Sequence, residues 1–215
     1  MDNSESIESK SEKSGDTRTE NKSKSGESGD TRTEEVRSPD GKLIRTYTIK
    51  DYKMNGPMII YDENEQIAQK LNYENNILSG PAEFYRNGTP VMYAQFQNGI
   101  LNGPATLFVE GIKSGETTFK NGAIDGIFAL FDKQGRITRE ATYVNGQMEG
   151  DCYLYYPDGI VQEKSFYQNN KLEGTVTKYF HSGAVLEISN YENGLPVGYV
   201  ETYDESGNLI SRKEA

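Results

Sequence analysis

Tyr143-Val144-Asn145-Gly146-Gln147-Met148-Glu149-Gly150-Asp151-Cys152-Tyr153-Leu154-Tyr155 contains, within one short stretch, every letter that decides the fold. Asn145-Gly146 is a tight-turn dipeptide. Both residues tolerate the positive φ that a two-residue hairpin turn needs if its twist is to match the flanking strands. Met148 and Gly150 follow, then a short alternating segment that ends on an aromatic, Tyr155. Segments of this kind are too short for good helices and are rich in the Tyr, Phe, Val, Ile and Thr that suit a pleated surface.

The same letters recur along the chain. Gly56, Gly80, Gly103, Gly126, Gly150, Gly174 and Gly198 are spaced by 24, 23, 23, 24, 24 and 24 residues. Five positions after each stands Tyr61, Tyr85, Phe108, Phe131, Tyr155, Tyr179 or Tyr203; an aromatic content of 11% would give fewer than one such match by chance. The register is therefore an internal repeat. A second aromatic column, Tyr73, Phe96, Phe119, Tyr143, Tyr167 and Tyr191, runs into Asn-Gly or Asn-Asn turns such as Asn98-Gly99 and Asn169-Asn170. Another turn lies midway through each unit, as at Asn87-Gly88, Asp158-Gly159 and Ser206-Gly207. Two turns per unit mean two strands per unit, so the fold is predicted to be all-β, an antiparallel meander of stacked hairpins.

Alternation within the strand after each glycine sets its faces. Offsets two and four hold Met58 and Ile60, Ala82 and Phe84, Ala105 and Leu107, Phe128 and Leu130, Cys152 and Leu154. Offset three is mixed (Ile59, Glu83, Thr106, Ala129, Tyr153, Thr177, Glu201) and reads as half exposed. Lys178 and Thr202 at offset four mark the C-terminal end as a water-facing cap. Two residues before each glycine, Met54, Leu78, Leu101, Ile124, Met148, Leu172 and Pro196 are placed to plug the inter-repeat turn against the sheet.

Extended backwards, the register finds a partial first unit in Asp40-Gly41, Ile49 and Asp51-Tyr52. The ordered array is thus expected over residues 38–215, as about seven 23–24-residue units. A lone hairpin of that size buries too little apolar surface to offset the entropy of ordering it, so units must stack side by side into an elongated body. Roughly thirteen strands would make a sheet on the order of 60 Å long.

Residues 1–37 differ in kind: they contain no aromatic and only Ile7 and Val36 as larger aliphatics. Such a Ser/Thr/Gly-rich, charged segment is predicted to be a disordered tail. It also repeats itself, Ser14-Gly15-Asp16-Thr17-Arg18-Thr19-Glu20 returning as Ser28-Gly29-Asp30-Thr31-Arg32-Thr33-Glu34. It lacks the apolar run of a secretory signal, and no 18-residue apolar run crosses a membrane, so a cytoplasmic location is expected. The alternative is an exported lipoprotein whose signal has been removed, since a charged Ser-rich tether resembles what such processing leaves.

Composition excludes several chemistries. Cys152 is the only cysteine, so neither an intrachain disulfide nor a cysteine metal cluster can form, and its strand offset predicts a buried small hydrophobe. The net charge is −10, of which the array carries −7, which argues against a nucleic-acid surface or an anionic membrane. His181, the sole histidine, sits in a mid-repeat turn, and no nucleophile, metalloprotease or phosphate-loop pattern accompanies it. No enzyme activity and no cofactor are expected.

Two groups are candidate partner-binding residues. Asp125, Glu149 and Glu173 place a carboxylate before the glycine in three consecutive units, suited to a basic protein surface. Tyr153 and Tyr156 are the members of a tyrosine cluster not accounted for by the repeat, with Tyr155 and Tyr179 assigned to interior packing.

Units such as Tyr143–Gly150 and Tyr191-Glu192-Asn193-Gly194-Leu195-Pro196-Val197-Gly198 resemble the MORN repeat, specifically the bacterial variant of the YwqK-like family often labelled as antitoxins. The chain departs from the eukaryotic form, which carries a tryptophan near its start. The resemblance implies a hairpin array used for protein contacts and, in some relatives, for neutralising a toxin. It carries no catalytic residue across. The function expected is a non-catalytic protein-binding module, an antitoxin or immunity protein, or else a tethered surface or periplasmic repeat protein with a structural or adhesive role.

Overall fold

The computed structural model describes residues 29–215, in which every regular element is a β-strand. Residues 1–28, most of the expected tail, lie outside the described residues. Twenty strand segments run from Thr31–Arg37 to Leu209–Glu214. Four are two-residue lead-ins, Ile77–Leu78, Ile100–Leu101, Ala123–Ile124 and Lys171–Leu172, each one residue short of the strand beginning at the repeat glycine. Counting each with its strand leaves sixteen ladder positions. Every strand pairs antiparallel with its sequence neighbours, with no crossover. At the usual spacing this ladder is about 70 Å long.

The turns form as their letters require. Asn145 and Gly146 have φ of 49° and 81°, both positive, the signature of the type I′ hairpin turn, and the other Asn-Gly and Asn-Asn pairs repeat it. The repeat glycines all have positive φ; Gly150, at 125°, lies where side chains are essentially excluded. Its neighbour strand is also close, since a Cβ there would lie 3.1 Å from Thr142 Cβ.

The sheet is a single layer whose core lies on one face. Buried side chains there are small: Ala82 opposite Ala94, Ala105 opposite Thr117, Cys152 opposite Ser165, Val176 opposite Ser189. Ala82 is only 1% exposed although no second sheet or helix covers it among the described residues. The cover comes from the flanks. Met58, Leu71 and Ala82 are packed by Met54 and Leu78 of the plug column, Tyr73 and Phe96 of the second aromatic column, and Ile60 and Phe84 from the other side. Small residues in the middle row let large ones lean over them, and this is how a one-layer sheet excludes water.

Three expectations are corrected. Thr31–Arg37, assigned to the tail, forms a strand on Leu43–Lys50. It occupies the place of a strand after a repeat glycine, with Arg32 where the glycine would stand and Arg37 where the aromatic would; the marker letters are gone but the pairing remains. Over the described residues the ladder therefore has sixteen strands in place of roughly thirteen. Third, Tyr155 belongs not to the core face but to the opposite one: its ring stacks on Tyr153, with centroids 6.3 Å apart, two residues back on the same side of the strand. In each hairpin the register shifts by one beside this aromatic, as between Leu154 and Tyr155.

Candidate functional site

The face opposite the core is built on one continuous row of offset-three residues and their cross-strand partners. From Glu35 it passes through Thr46, Ile59, Lys70, Glu83, Tyr93, Thr106, Glu116, Ala129, Glu140, Tyr153, Lys164, Thr177, Ile188 and Glu201 to Arg212. Beside that row stand aromatics of the first column. The period of two puts both on the same side, and direct contacts tie them together.

In the N-terminal half, Lys70 Nζ lies 2.8 Å from the Glu83 carboxylate and 5.4 Å from the centre of the Tyr85 ring. The Tyr85 hydroxyl donates to Glu83. Burial, followed by that carboxylate, pushes the Tyr85 phenol up to about 12. The hydrogen bond from Lys70 holds the Glu83 carboxyl below its usual range, with the Tyr85 hydroxyl adding to it. Tyr93 bridges onward, its ring centre 6.3 Å from Tyr85 and 4.7 Å from Phe108. The second cluster reuses the design: the Tyr155 hydroxyl donates to Glu140 at 2.5 Å, and burial, then Glu140, raises its pKa. Tyr153 donates to Asp151 at 3.2 Å, and Lys164 Nζ lies 5.6 Å from its ring centre. These are amphipathic rings with their polar tips paired and their faces half exposed, a surface suited to contact.

The structure separates the five residues singled out from sequence. Tyr153 lies in the middle of this face. Asp125, Glu149 and Glu173 stand together on the long edge formed by the inter-repeat turns, half-buried and engaged: each accepts a hydrogen bond from the backbone N–H of the asparagine one turn further on, Asn145 at 3.2 Å, Asn169 at 2.7 Å and Asn193 at 2.8 Å. They are clasps between successive turns. Tyr156 lies on the opposite long edge, among the mid-repeat turns, where its hydroxyl donates to the Tyr179 carbonyl at 2.8 Å and its ring meets His181 edge-on at 5.1 Å. His181 Nε2 is 2.7 Å from Asp158, a contact between neighbouring turns.

Sequence reasoning missed the aspartates at the mid-repeat turns. Asp62, Asp132 and Asp204 each accept backbone N–H groups two and four residues on with one carboxylate oxygen, closing an Asx turn. The signal was present: in two of these turns the aspartate precedes a glycine by three residues, Gly135 and Gly207. Among the described residues no group of three or more His, Cys, Asp or Glu could hold a metal ion. A depression at the N-terminal mid-repeat turns, lined by Ser38, Lys42, Leu43, Tyr61 and Asp62, is open to solvent. No helix of the described residues is long and apolar enough to cross a membrane.

Fold and turn geometry define a β-hairpin repeat protein. The family model described as MORN repeat variant matches residues 54–75, 148–169 and 172–193, each running from a plug residue (Met54, Met148, Leu172) to the asparagine of the next inter-repeat turn. MORN repeats are generally non-catalytic repeat modules. No curated protein matches the chain.

Proposed function

We propose that this chain is a protein-binding module that works by contact alone, and that its partner is a basic protein lying along the face that bears Tyr85, Tyr93, Tyr153 and Tyr155. The observation that carries this reading is the uncovered, aromatic and charge-paired row opposite the core. The core face is closed by the plug and second aromatic columns, whereas in the row on this side Ala129 alone is buried. The net charge of −7 over the array favours encounter with a basic surface.

The finer reading is neutralisation of a toxin or effector, as an antitoxin or immunity protein in the cytoplasm. A tethered, exported repeat protein is the second reading, favoured by the charged Ser-rich composition ahead of the array. A photo-crosslinking residue placed at Tyr153, and separately at Leu154 on the opposite face of the same strand, tests the contact surface against the products of adjacent genes. Adducts at position 153 and none at 154 support the proposal. Adducts confined to 154, or growth rescue of a toxin unchanged in a Tyr85→Ala/Tyr153→Ala variant, would overturn it.

A further inference from the structure

The two end strands of the described ladder are unlike. Among the described residues Thr31–Arg37 pairs only with Leu43–Lys50, and Leu209–Glu214 only with Leu195–Tyr203. Of these two the first is a strand that begins a hairpin and the last a strand that ends one. Within the chain, every strand that ends a hairpin pairs with a strand that begins the next, as Lys70 with Glu83 and Lys164 with Thr177. The C-terminal edge of one molecule therefore has the same geometry as the surface on which the N-terminal strand of another would be the next element.

The repeat also dictates the register. Arg212 occupies the place of Lys70, and Glu35 that of Glu83, whose internal counterparts form the 2.8 Å ion pair. In that alignment Arg212 faces Glu35, Lys213 stands next to Glu34, and Glu214 next to Arg32, three pairings of opposite charge. Like ends do not match in this way: pairing two C-terminal strands about their centre sets Arg212 opposite Ser211, Lys213 opposite Ile210 and Glu214 opposite Leu209, with no pairing of opposite charge, and pairing two N-terminal strands about Glu34 and Glu35 sets those two carboxylates against each other. Leu209 and Ile210 are 52% and 65% exposed at this edge, where the equivalent Ile67 and Ala68 are half-buried beneath the next unit. The N–H of Ala215 donates inward to Gly198, so alternation turns the N–H groups of Arg212 and Glu214 outward.

We propose that a second copy of this chain docks its Thr31–Arg37 strand on the Leu209–Glu214 edge, continuing the repeat head to tail. Such a contact is heterologous and does not close, so it gives linear oligomers. This inference rests on the two end strands and not on the proposed partner, although Glu35 and Arg212 are also the ends of the row on that face.

The full chain is tested by light scattering over a concentration series. Mass should rise above 24.1 kDa with concentration at low salt and fall at least tenfold in association constant between about 50 and 500 mM salt. Arg212→Pro removes an outward donor without breaking the internal ladder, and should leave the protein monomeric with its circular dichroism unchanged. Ser211→Cys and Val36→Cys face each other in the dictated register, so the double variant should oxidise to a ladder of covalent multimers and neither single variant should form dimers. Arg212→Glu/Lys213→Glu and Glu34→Lys/Glu35→Lys should each be monomeric alone and associate when mixed. A monomer at every concentration, a fixed dimer cross-linked through Ser211→Cys alone, or association unaffected by Arg212→Pro would overturn the proposal. So would its loss in Thr17→Pro/Thr19→Pro, which would make the upstream copy of the strand sequence the occupant.

Discussion

Gly150→Ala offers the sharpest test of how this array is held together. At φ 125° an L-residue is strained by about 1–3 kcal/mol. The added methyl would also stand 3.1 Å from Thr142 Cβ and 3.3 Å from its Cγ2, on the neighbouring strand rather than a loop. Relief requires the two strands to separate by a few tenths of an ångström in the middle of the ladder, costing roughly another 1 kcal/mol. Gly159→Ala is the matched control: it lies in a mid-repeat turn at φ 89° with nothing within 4 Å of the added atom, so only backbone strain of about 1 kcal/mol remains. For a chain of this size 1 kcal/mol moves Tm by about 2–4 °C. Gly150→Ala should therefore lower Tm by about 5–12 °C and Gly159→Ala by about 2–4 °C in thermal unfolding followed by circular dichroism and tyrosine fluorescence. Equal effects, or a Gly150→Ala shift within 1 °C of wild type, would refute the claim that Gly150 is kept for strand approach and backbone sign together.

Tyr52 has a φ of 63° and is 85% exposed in an inter-repeat turn where four of six sister units place glycine and two asparagine, so Tyr52→Gly should stabilise by about 1 kcal/mol in urea unfolding. Glu149→Ala should cost about 0.5–1.5 kcal/mol through loss of the clasp on Asn169, while Glu149→Gln, which keeps an acceptor, should recover most of it; a partner-contact role with no clasp would leave stability unchanged in both. For Tyr85, burial and then the Glu83 carboxylate push the phenol from its ordinary 10.0 up to about 12 in the folded chain. The unfolded chain therefore loses its proton first, and the contribution is complete below pH 10 and lost as pH rises toward about 12. Tyr85→Phe should show a shallower fall in stability across that window, read by urea midpoints at each pH.

Periodicity made most of the fold legible without coordinates. Asn145-Gly146 dictates a hairpin because few other pairs tolerate two positive φ values in succession, and the recurrence of that choice at every unit fixes an antiparallel meander. Alternation likewise placed Ala82, Ala105 and Cys152 on the buried face. The acidic column was legible as a column, but its hydrogen bonds were not, because a carboxylate that accepts from a backbone N–H twenty residues away has the same letters as one that does not.

What the amino-acid order determined by itself was local: turn positions, strand lengths, the identity of the repeat, and the impossibility of a disulfide with Cys152 alone. Three things were left to the tertiary structure. It put the two aromatic columns on opposite faces, since the face of Tyr155 depends on strand parity through the sheet. It added Thr31–Arg37 to the ladder, where backbone pairing to a formed neighbour outweighs a polar composition. It also set which residues share an edge, separating Tyr153, Tyr156 and Glu149, which lie within eight positions of one another in the chain, onto a face and two opposite margins. Local letters act over a few residues, whereas faces and edges exist only once sixteen strands are laid side by side.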